Sequence, residues 1–201
     1  MSSFKVVIAG VGGQGTLLAS RILAECAVKA DLHVKISETY GMAQRGGPVM
    51  GLIQIGDVSY NPRIRKGTAD VLLGFEPSEA VRRGVSYLKD GGLALINTRT
   101  TSPVEVISGM IPYPNMDRLM TLIKKVTDNV VSFDATKLAE KAGDPIATNI
   151  VMFGALVESQ LLPFKEEIAQ STLKESLHPR FYNLNRKAFE LGKNAFREHK
   201  K

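Results

Sequence analysis

The chain has a single cysteine and no tryptophan in 201 residues. With Cys26 alone, no internal disulfide can form. An iron–sulfur cluster normally takes four thiolates, so this chain cannot hold one by itself. The three histidines, His33, His178 and His199, are scattered without His-x-x-x-His or His–Cys spacing, so no metal site is expected. No GxSxG turn is present to carry serine chemistry. Aromatic residues make up only 6%, with neither an RNP-like motif nor zinc-finger spacing, which argues against nucleic acid as a partner. No apolar run approaches the ~20 residues needed to cross a bilayer. The apolar stretch Val6 to Ala9 after Lys5 is too short for a secretory signal core. No membrane association is expected, and the cytoplasm is the expected location.

What is present is an ordinary globular composition, 44% hydrophobic and 23% charged. A chain of this length can bury roughly 70% of its unfolded surface without staples. No repeat, low-complexity tract or linker divides it, so residues 1–201 read as a single domain. The net charge is +6. Much of the excess lies near the end, in Arg186, Lys187, Lys193, Arg197, Lys200 and Lys201, with Glu190 and Glu198 interleaved. That pattern reads as a solvated helix face. Cys26, four residues after Ile22 on an expected helix, reads as a small buried hydrophobe.

Hydrophobic periodicity gives an order of elements. Phe4 to Ala9 is a buried strand, followed by a glycine-rich turn and a helix from about Thr16 to Ala30, with Leu18, Ile22 and Cys26 on one stripe. His33 to Ser37 reads as a second strand. This β-turn-α-β opening predicts a parallel sheet. Glu38 to Gly47 reads as neither helix nor strand. Strands are expected at Val49–Ile55, with a hairpin through Gly56-Asp57 to Val58–Tyr60, and at Val71–Phe75. Pro77 opens a helix to about Leu88, and Gly91-Gly92 is expected to break the chain before a strand Leu93–Ile96. A short strand is expected near Val104–Ile107. Then come a helix over Asn115–Lys125, a strand Val130–Phe133 and a helix Ala135–Ala142. Three further helices follow: Asp144-Pro145 to about Leu161, Phe164–Ser176 and Arg180–Glu198. The fold class is therefore α/β: three layers around a mostly parallel, Rossmann-like sheet, with helices on both faces and a helical C-terminal region packed on it.

Two segments carry the candidate chemistry. The first is Gly10-Val11-Gly12-Gly13-Gln14-Gly15, a GxGxxG turn between strand and helix. Its glycines permit a sharp turn and close approach, and the helix N-terminus behind it suits an anion. Glu38, near the end of the second strand, could bind a ribose. Dinucleotide binding, anion binding and plain architecture are all open to this turn. The second segment is Glu38-Thr39-Tyr40-Gly41-Met42-Ala43-Gln44-Arg45-Gly46-Gly47-Pro48. In a parallel sheet it leaves its strand on the same side as the glycine turn, where ligands of such sheets bind. Gln14 and Arg45 are therefore expected near one crevice.

The two segments together resemble the gamma-type subunit or domain of 2-oxoacid:ferredoxin oxidoreductases. The form Gly41-Met42-Ala43-Gln44-Arg45-Gly46-Gly47 is similar to that of indolepyruvate-type beta subunits. Likeness continues in Asn149-Ile150-Val151-Met152-Phe153-Gly154-Ala155-Leu156 and in Asn185-Arg186-Lys187-Ala188-Phe189-Glu190-Leu191-Gly192. The resemblance implies a complex that oxidatively decarboxylates an arylpyruvate, transfers the acyl group to coenzyme A and reduces ferredoxin. It implies thiamine diphosphate and iron–sulfur clusters on a partner alpha subunit, no cofactor on this chain, and no catalytic nucleophile of its own. The residues expected to bind a cofactor or line the interface are Gly10, Gly12, Gly13, Gln14, Gly15, Tyr40, Gly41, Met42, Gln44, Arg45, Gly46 and Gly47. The Arg45 guanidinium is a five-donor fork suited to a carboxylate, a phosphate or a carbonyl-rich loop; its alternative is a local ion pair with Glu38. Tyr40 is a candidate for stacking on the partner. Asn149 is expected to hydrogen-bond a neighbouring loop, and Arg63, Arg65 and Lys66 to form an exposed turn.

Overall fold

A computed structural model describes residues 3–40, 46–57, 61, 63–102, 104–110 and 112–200. Its centre is a six-stranded sheet made from β1 (Phe4–Val11), β2 (Val34–Tyr40), β3 (Pro48–Ile55), β4 (Ala69–Gly74), β5 (Leu88–Asn97) and β6 (Val130–Phe133), in the order β2-β3-β1-β4-β5-β6. β1, β4, β5 and β6 pair in parallel. β3 pairs antiparallel with both β1 and β2. The expected β-turn-α-β opening is thus corrected. β2 does run in the direction of β1, but it lies beyond β3, with which it pairs antiparallel. Local pattern cannot reveal this, because β3 is apolar on both faces like its parallel neighbours.

Period-two alternation builds the three layers. Val6 and Ile8 of β1 enter one core, Val7 and Ala9 the other. The first core holds α1 (Thr16–Lys29), α5 (Ala135–Ala142), α6 (Thr148–Glu158), α7 (Glu166–Ser176) and α8 (Tyr182–His199). The second holds α2 (Pro77–Tyr87), whose Glu76 and Pro77 cap and open it, and α4 (Met116–Lys124), capped by Asn115. Val104–Ile107, read as a strand in the sequence, is the four-residue helix α3. Four residues are too few for periodicity to separate helix from strand.

Two further boundaries move. β2 continues through Glu38, Thr39 and Tyr40, which pair with Gly51, Met50 and Val49. β5 begins at Leu88, because Gly91 and Gly92 do not end the strand but form a bulge: Leu88 pairs with Ala69 and Leu93 with Val71. Gly91 takes the left-handed φ of 68° that the bulge requires. The Val58–Tyr60 arm of the expected hairpin lies outside the described residues.

α6 and α8 cross in very close contact. A Cβ on Gly154 would strike the Phe189 carbonyl, and one on Gly192 the Val151 carbonyl. The C-terminal charge pattern also differs from a solvated face at one position. Lys193 is buried and bridges Glu158 and Glu166, while Arg197 forks onto Glu158.

Cys26 is fully buried against this layer, and burial pushes its thiol up to about 11. At neutral pH the thiolate nucleophile is therefore almost absent. Titration with a disulfide dye is expected to label Cys26 only once the chain is unfolded; rapid labelling of the native protein would contradict this burial.

Candidate functional site

The carboxyl ends of the parallel strands gather the chain's polar loops. The glycine turn leaves β1 with Gly13 at φ 104° and Gly15 at φ 78°, backbone that favours glycine. Gln14 folds back into the turn. Its Oε1 accepts from the Val11 N–H at 2.8 Å, and its Nε2 donates to the Phe75 carbonyl and to Thr101 Oγ1, each at 3.2 Å. A Cβ on Gly10 would lie 2.7 Å from that Oε1, and one on Gly15 would lie 2.8 Å from Asn149 Nδ2. Gly10 and Gly15 are thus glycines because Gln14, Thr16, Phe75 and Asn149 fill the space beside them. Gly13 has nothing within 4 Å of a Cβ and faces outward.

The turn is joined to the second segment by backbone. Gly12 N–H donates to the Gly47 carbonyl at 2.9 Å, and Gly46 N–H donates to the Gly12 carbonyl at 3.4 Å. The antiparallel β3 makes this possible: its first residue, Pro48, sits opposite Val11. The structure therefore brings together Gly10, Gly12, Gly13, Gln14, Gly15, Gly46 and Gly47. Tyr40 ends β2 on the same side; its side chain and the residues Gly41, Met42, Gln44 and Arg45 lie outside the described residues. Glu38 is separated from β1 by β3, roughly 10 Å away at ordinary strand spacing. It is not beside the glycine turn, where a ribose-binding carboxylate on an adjacent strand would be.

Residues that the sequence reading did not single out hold the floor of the junction. Asn97, 1% exposed, donates through Nδ2 to the Phe75 carbonyl and Thr136, and its Oδ1 accepts from the Ala135 and Arg99 N–H groups. It ties β4, β5 and α5 together. Glu76, fully buried, accepts from Glu79 N–H, Ser78 and the Tyr113 hydroxyl. Burial and this bond to the Glu76 carboxylate push the Tyr113 hydroxyl well above the usual phenol range. Tyr113 and Thr101 thus pin both ends of the segment that carries α3. The signal that could have found Glu76 is its place just before Pro77 as a helix cap. Asn97 gives none, since its partners are distant in sequence.

Three large apolar side chains stand in the open: Ile107 (73% exposed) and Met110 (76%) in the segment between Thr101 and Tyr113, and Ile146 (69%) just before α6. Asn149, expected to hydrogen-bond a neighbouring loop, packs its amide on Gly15 and accepts the Ile150 N–H. Arg63, Arg65 and Lys66 are exposed, as expected. Among the described residues no cluster of His, Cys, Asp or Glu could hold a metal ion, and no helix is long and apolar enough to cross a membrane.

Glu79 is a buried carboxylate at the edge of this region. Desolvation raises its pKa even though Arg82 bonds it. The folded state then holds that proton more tightly than the unfolded chain, so this group's contribution to stability falls as pH rises from the ordinary carboxylate value through the raised one. Glu79→Gln is expected to flatten that part of the pH–stability curve in urea titrations, with stability at neutral pH little changed. A steeper loss at neutral pH than at pH 4 would refute the sign.

The chain is similar to known proteins over nearly its whole length. It is 39% identical over 199 residues to the indolepyruvate oxidoreductase subunit IorB of Pyrococcus horikoshii, covering 98% of each chain. It is 41% identical over 189 residues to the same subunit of Archaeoglobus fulgidus, covering 94% of this chain and 93% of that one. Its fold superposes on the gamma subunit of a keto/oxoacid ferredoxin oxidoreductase from Geobacter sulfurreducens with a TM-score of 0.70 at 26% identity, covering 97% and 99% of the two chains. With residues 5–195 matching the family described as pyruvate ferredoxin/flavodoxin oxidoreductase, the chain belongs to that family and is a subunit of a ferredoxin-dependent 2-oxoacid oxidoreductase.

Proposed function

We propose that this chain is the cofactor-free subunit of an arylpyruvate-oxidising enzyme, with indolepyruvate as the substrate to try first. It docks through the loop junction at the carboxyl ends of its strands onto a larger chain that carries thiamine diphosphate and iron–sulfur clusters. That partner decarboxylates the 2-oxoacid, hands the acyl group to coenzyme A and passes electrons to ferredoxin. The observation that carries this reading is the bonded pair of loops, Gly12 with Gly46 and Gly47, together with the exposed Ile107, Met110 and Ile146 on the chain between Thr101 and Tyr113 and on the entry to α6, segments that bond Gln14 and Glu76 and pack on Gly15. Large apolar side chains left exposed beside ordered polar loops are what an interface buries at its core. The glycine turn is filled by Gln14 rather than left open for a pyrophosphate, and the single cysteine leaves the clusters to another chain. The names of the relatives supply the substrate class.

The test is reconstitution. The chain is purified alone and with a co-expressed partner bearing thiamine and clusters, and reduction of ferredoxin is followed with coenzyme A and indolepyruvate, pyruvate or 2-oxoglutarate. The isolated chain should be inactive, the complex active, and indolepyruvate the preferred acid. Activity of the partner that is indifferent to this chain would reject the docking role; preference for pyruvate would reject the substrate. Gln14→Ala, which frees the Val11 N–H and lets the turn relax, is expected to weaken assembly about tenfold, equivalent to roughly 1.4 kcal/mol.

A further inference from the structure

Away from that junction, the sheet ends on one side in a seven-residue edge strand, β2. β2 has a neighbour only on the β3 side among the described residues, and its pairing runs through all seven positions without a bulge. It contains no proline. Sheets usually blunt such an edge with short strands, charged side chains, prolines or bulges, or cover it; β2 carries Lys35 and Glu38 but neither proline nor bulge. The opposite edge follows the rule: β6 has four residues and α8 packs against it. Because His33 carbonyl accepts from Gly56 N–H, the inward-facing positions of this ladder are the odd ones, and the backbone groups of Val34 and Ile36 point outward.

Beside this edge, α1 carries a second seam, apolar except for Arg21, that its own core does not use. Leu17, Arg21, Ala24 and Val28 follow the i, i+4, i+7, i+11 spacing of a helix–helix seam and fall within about 60° of one another at 3.6 residues per turn. They lie roughly 100° around the helix from the sheet-facing Ser20, Leu23 and Ala27, on the side toward β2. Leu17 is 42% exposed, Val28 65% and Ile36 of β2 38%. With Glu38 they line one open groove of about 720 Å³.

We propose that two copies of this chain associate about a twofold axis at Ser37, with β2 pairing antiparallel to β2 of the other copy and α1 packing on α1 across the same axis. One operation satisfies both features. An axis normal to the sheet at Ser37 sets Ile36 against Glu38 and Val34 against Tyr40 of the copy, positions whose backbone groups point outward. The same axis fixes the helix register. Ser20 Oγ lies 2.7 Å from where a Gly51 Cβ would be, and Gly51 pairs with Glu38, so Ser20 is level with Glu38. Ser37, one strand residue lower, is then level with about residue 22, from the rises of 3.3 Å per strand residue and 1.5 Å per helix residue. An antiparallel helix pair centred there opposes Leu17 to Val28 and Arg21 to Ala24 and Glu25. Apolar meets apolar, and the Arg21–Glu25 ion pair within each copy, 2.6 Å long, can be matched by Arg21–Glu25 pairs between them. With α1 packed on β2 and β3, the two helices come roughly 10–14 Å apart, near the spacing of packed helices.

The full-length chain is therefore expected to sediment as a dimer at about 50 µM, the concentration of an ordinary equilibrium run. Val28→Lys and Leu17→Glu should each weaken the dimer at least tenfold, and the double variant should regain most of the loss. Within one copy the two positions are roughly 16 Å apart along the helix, too far to pair, so recovery reports a contact between copies. Ser37→Cys should cross-link to itself on mild oxidation, since opposed residues of a non-hydrogen-bonded antiparallel pair have the short Cα separation a disulfide needs; Cys26 is buried and stays out. Circular dichroism confirms that each variant is folded. A monomeric native chain whose Ser37→Cys form does not cross-link would overturn the proposal, as would a dimer indifferent to Val28→Lys. Loss of binding to the thiamine-bearing partner in the Val28→Lys variant, with the native chain monomeric, would assign the groove to that partner instead. The docking role of the loop junction stands or falls separately.

Discussion

Gly192→Ala is expected to lower the unfolding free energy by about 3 kcal/mol or more, although the change adds one methyl group. The reason is what that methyl would meet. A Cβ at Gly192 would press on the Val151 carbonyl carbon at 2.8 Å and the Ala155 nitrogen at 3.1 Å, as well as on the Val151 oxygen itself. These are backbone atoms of a buried helix, and no rotamer change can move them. α6 and α8 would have to part, opening the layer that includes Val151, Ala155, Ala188 and Phe189. For a domain of this size, each kcal/mol shifts the midpoint by roughly 2–4 °C, so thermal unfolding should move down by roughly 6–12 °C. Gly13→Ala is the control: its Cβ meets nothing within 4 Å, and only its positive φ resists the change, at about 1 kcal/mol. Equal losses at the two positions would show that close helix packing is not what Gly192 provides.

Asn97→Ala is expected to cost about 2–4 kcal/mol and to loosen the loop junction. The side chain is buried and satisfies groups on three elements: the Phe75 carbonyl after β4, its own loop through the Arg99 N–H, and the Ala135 N–H at the start of α5. Alanine leaves the Ala135 N–H without its side-chain acceptor at the head of α5, and a buried unpaired donor costs more than a hydrogen bond contributes. Asn97→Asp keeps the acceptor and loses the amide donor to Phe75, so it separates the two halves. Urea unfolding measures the total, and amide exchange at Ala135 and Arg99 locates it. Since Phe75 carbonyl also accepts from Gln14, exchange at Val11 should rise as well. Unchanged protection at Ala135 in the alanine variant would show that Asn97 does not hold this junction.

Much of the architecture was legible from one-dimensional pattern. The apolar run of β1, the stripe of α1 and the Asp144-Pro145 restart are local signals, and local backbone preference together with hydrophobic period decides them. α5 and β6 have the bounds read from the sequence. The misreadings fall where a distant partner decides. The Gly91-Gly92 pair resembles a break, but pairing with β4 carries β5 through it as a bulge. Val104–Ile107 is apolar enough for a strand and has no strand beside it among the described residues. Lys193 belongs by composition to a solvated face, but Glu158 and Glu166 reach it from two other helices and make its burial tolerable.

The candidate site divides the same way. Its glycines and Gln14 are visible as a motif, because a tight strand-to-helix turn has few sequence solutions. The order of residue types thus determined, without coordinates, that this is an α/β chain with a polar loop after each of its first two strands, and that its one cysteine cannot carry a cluster. Only the tertiary structure decided that those loops touch. Placing β3 antiparallel between β1 and β2 returns Gly46 and Gly47 to Gly12, and strand order is a property of which surfaces pair, which no stretch of sequence holds by itself.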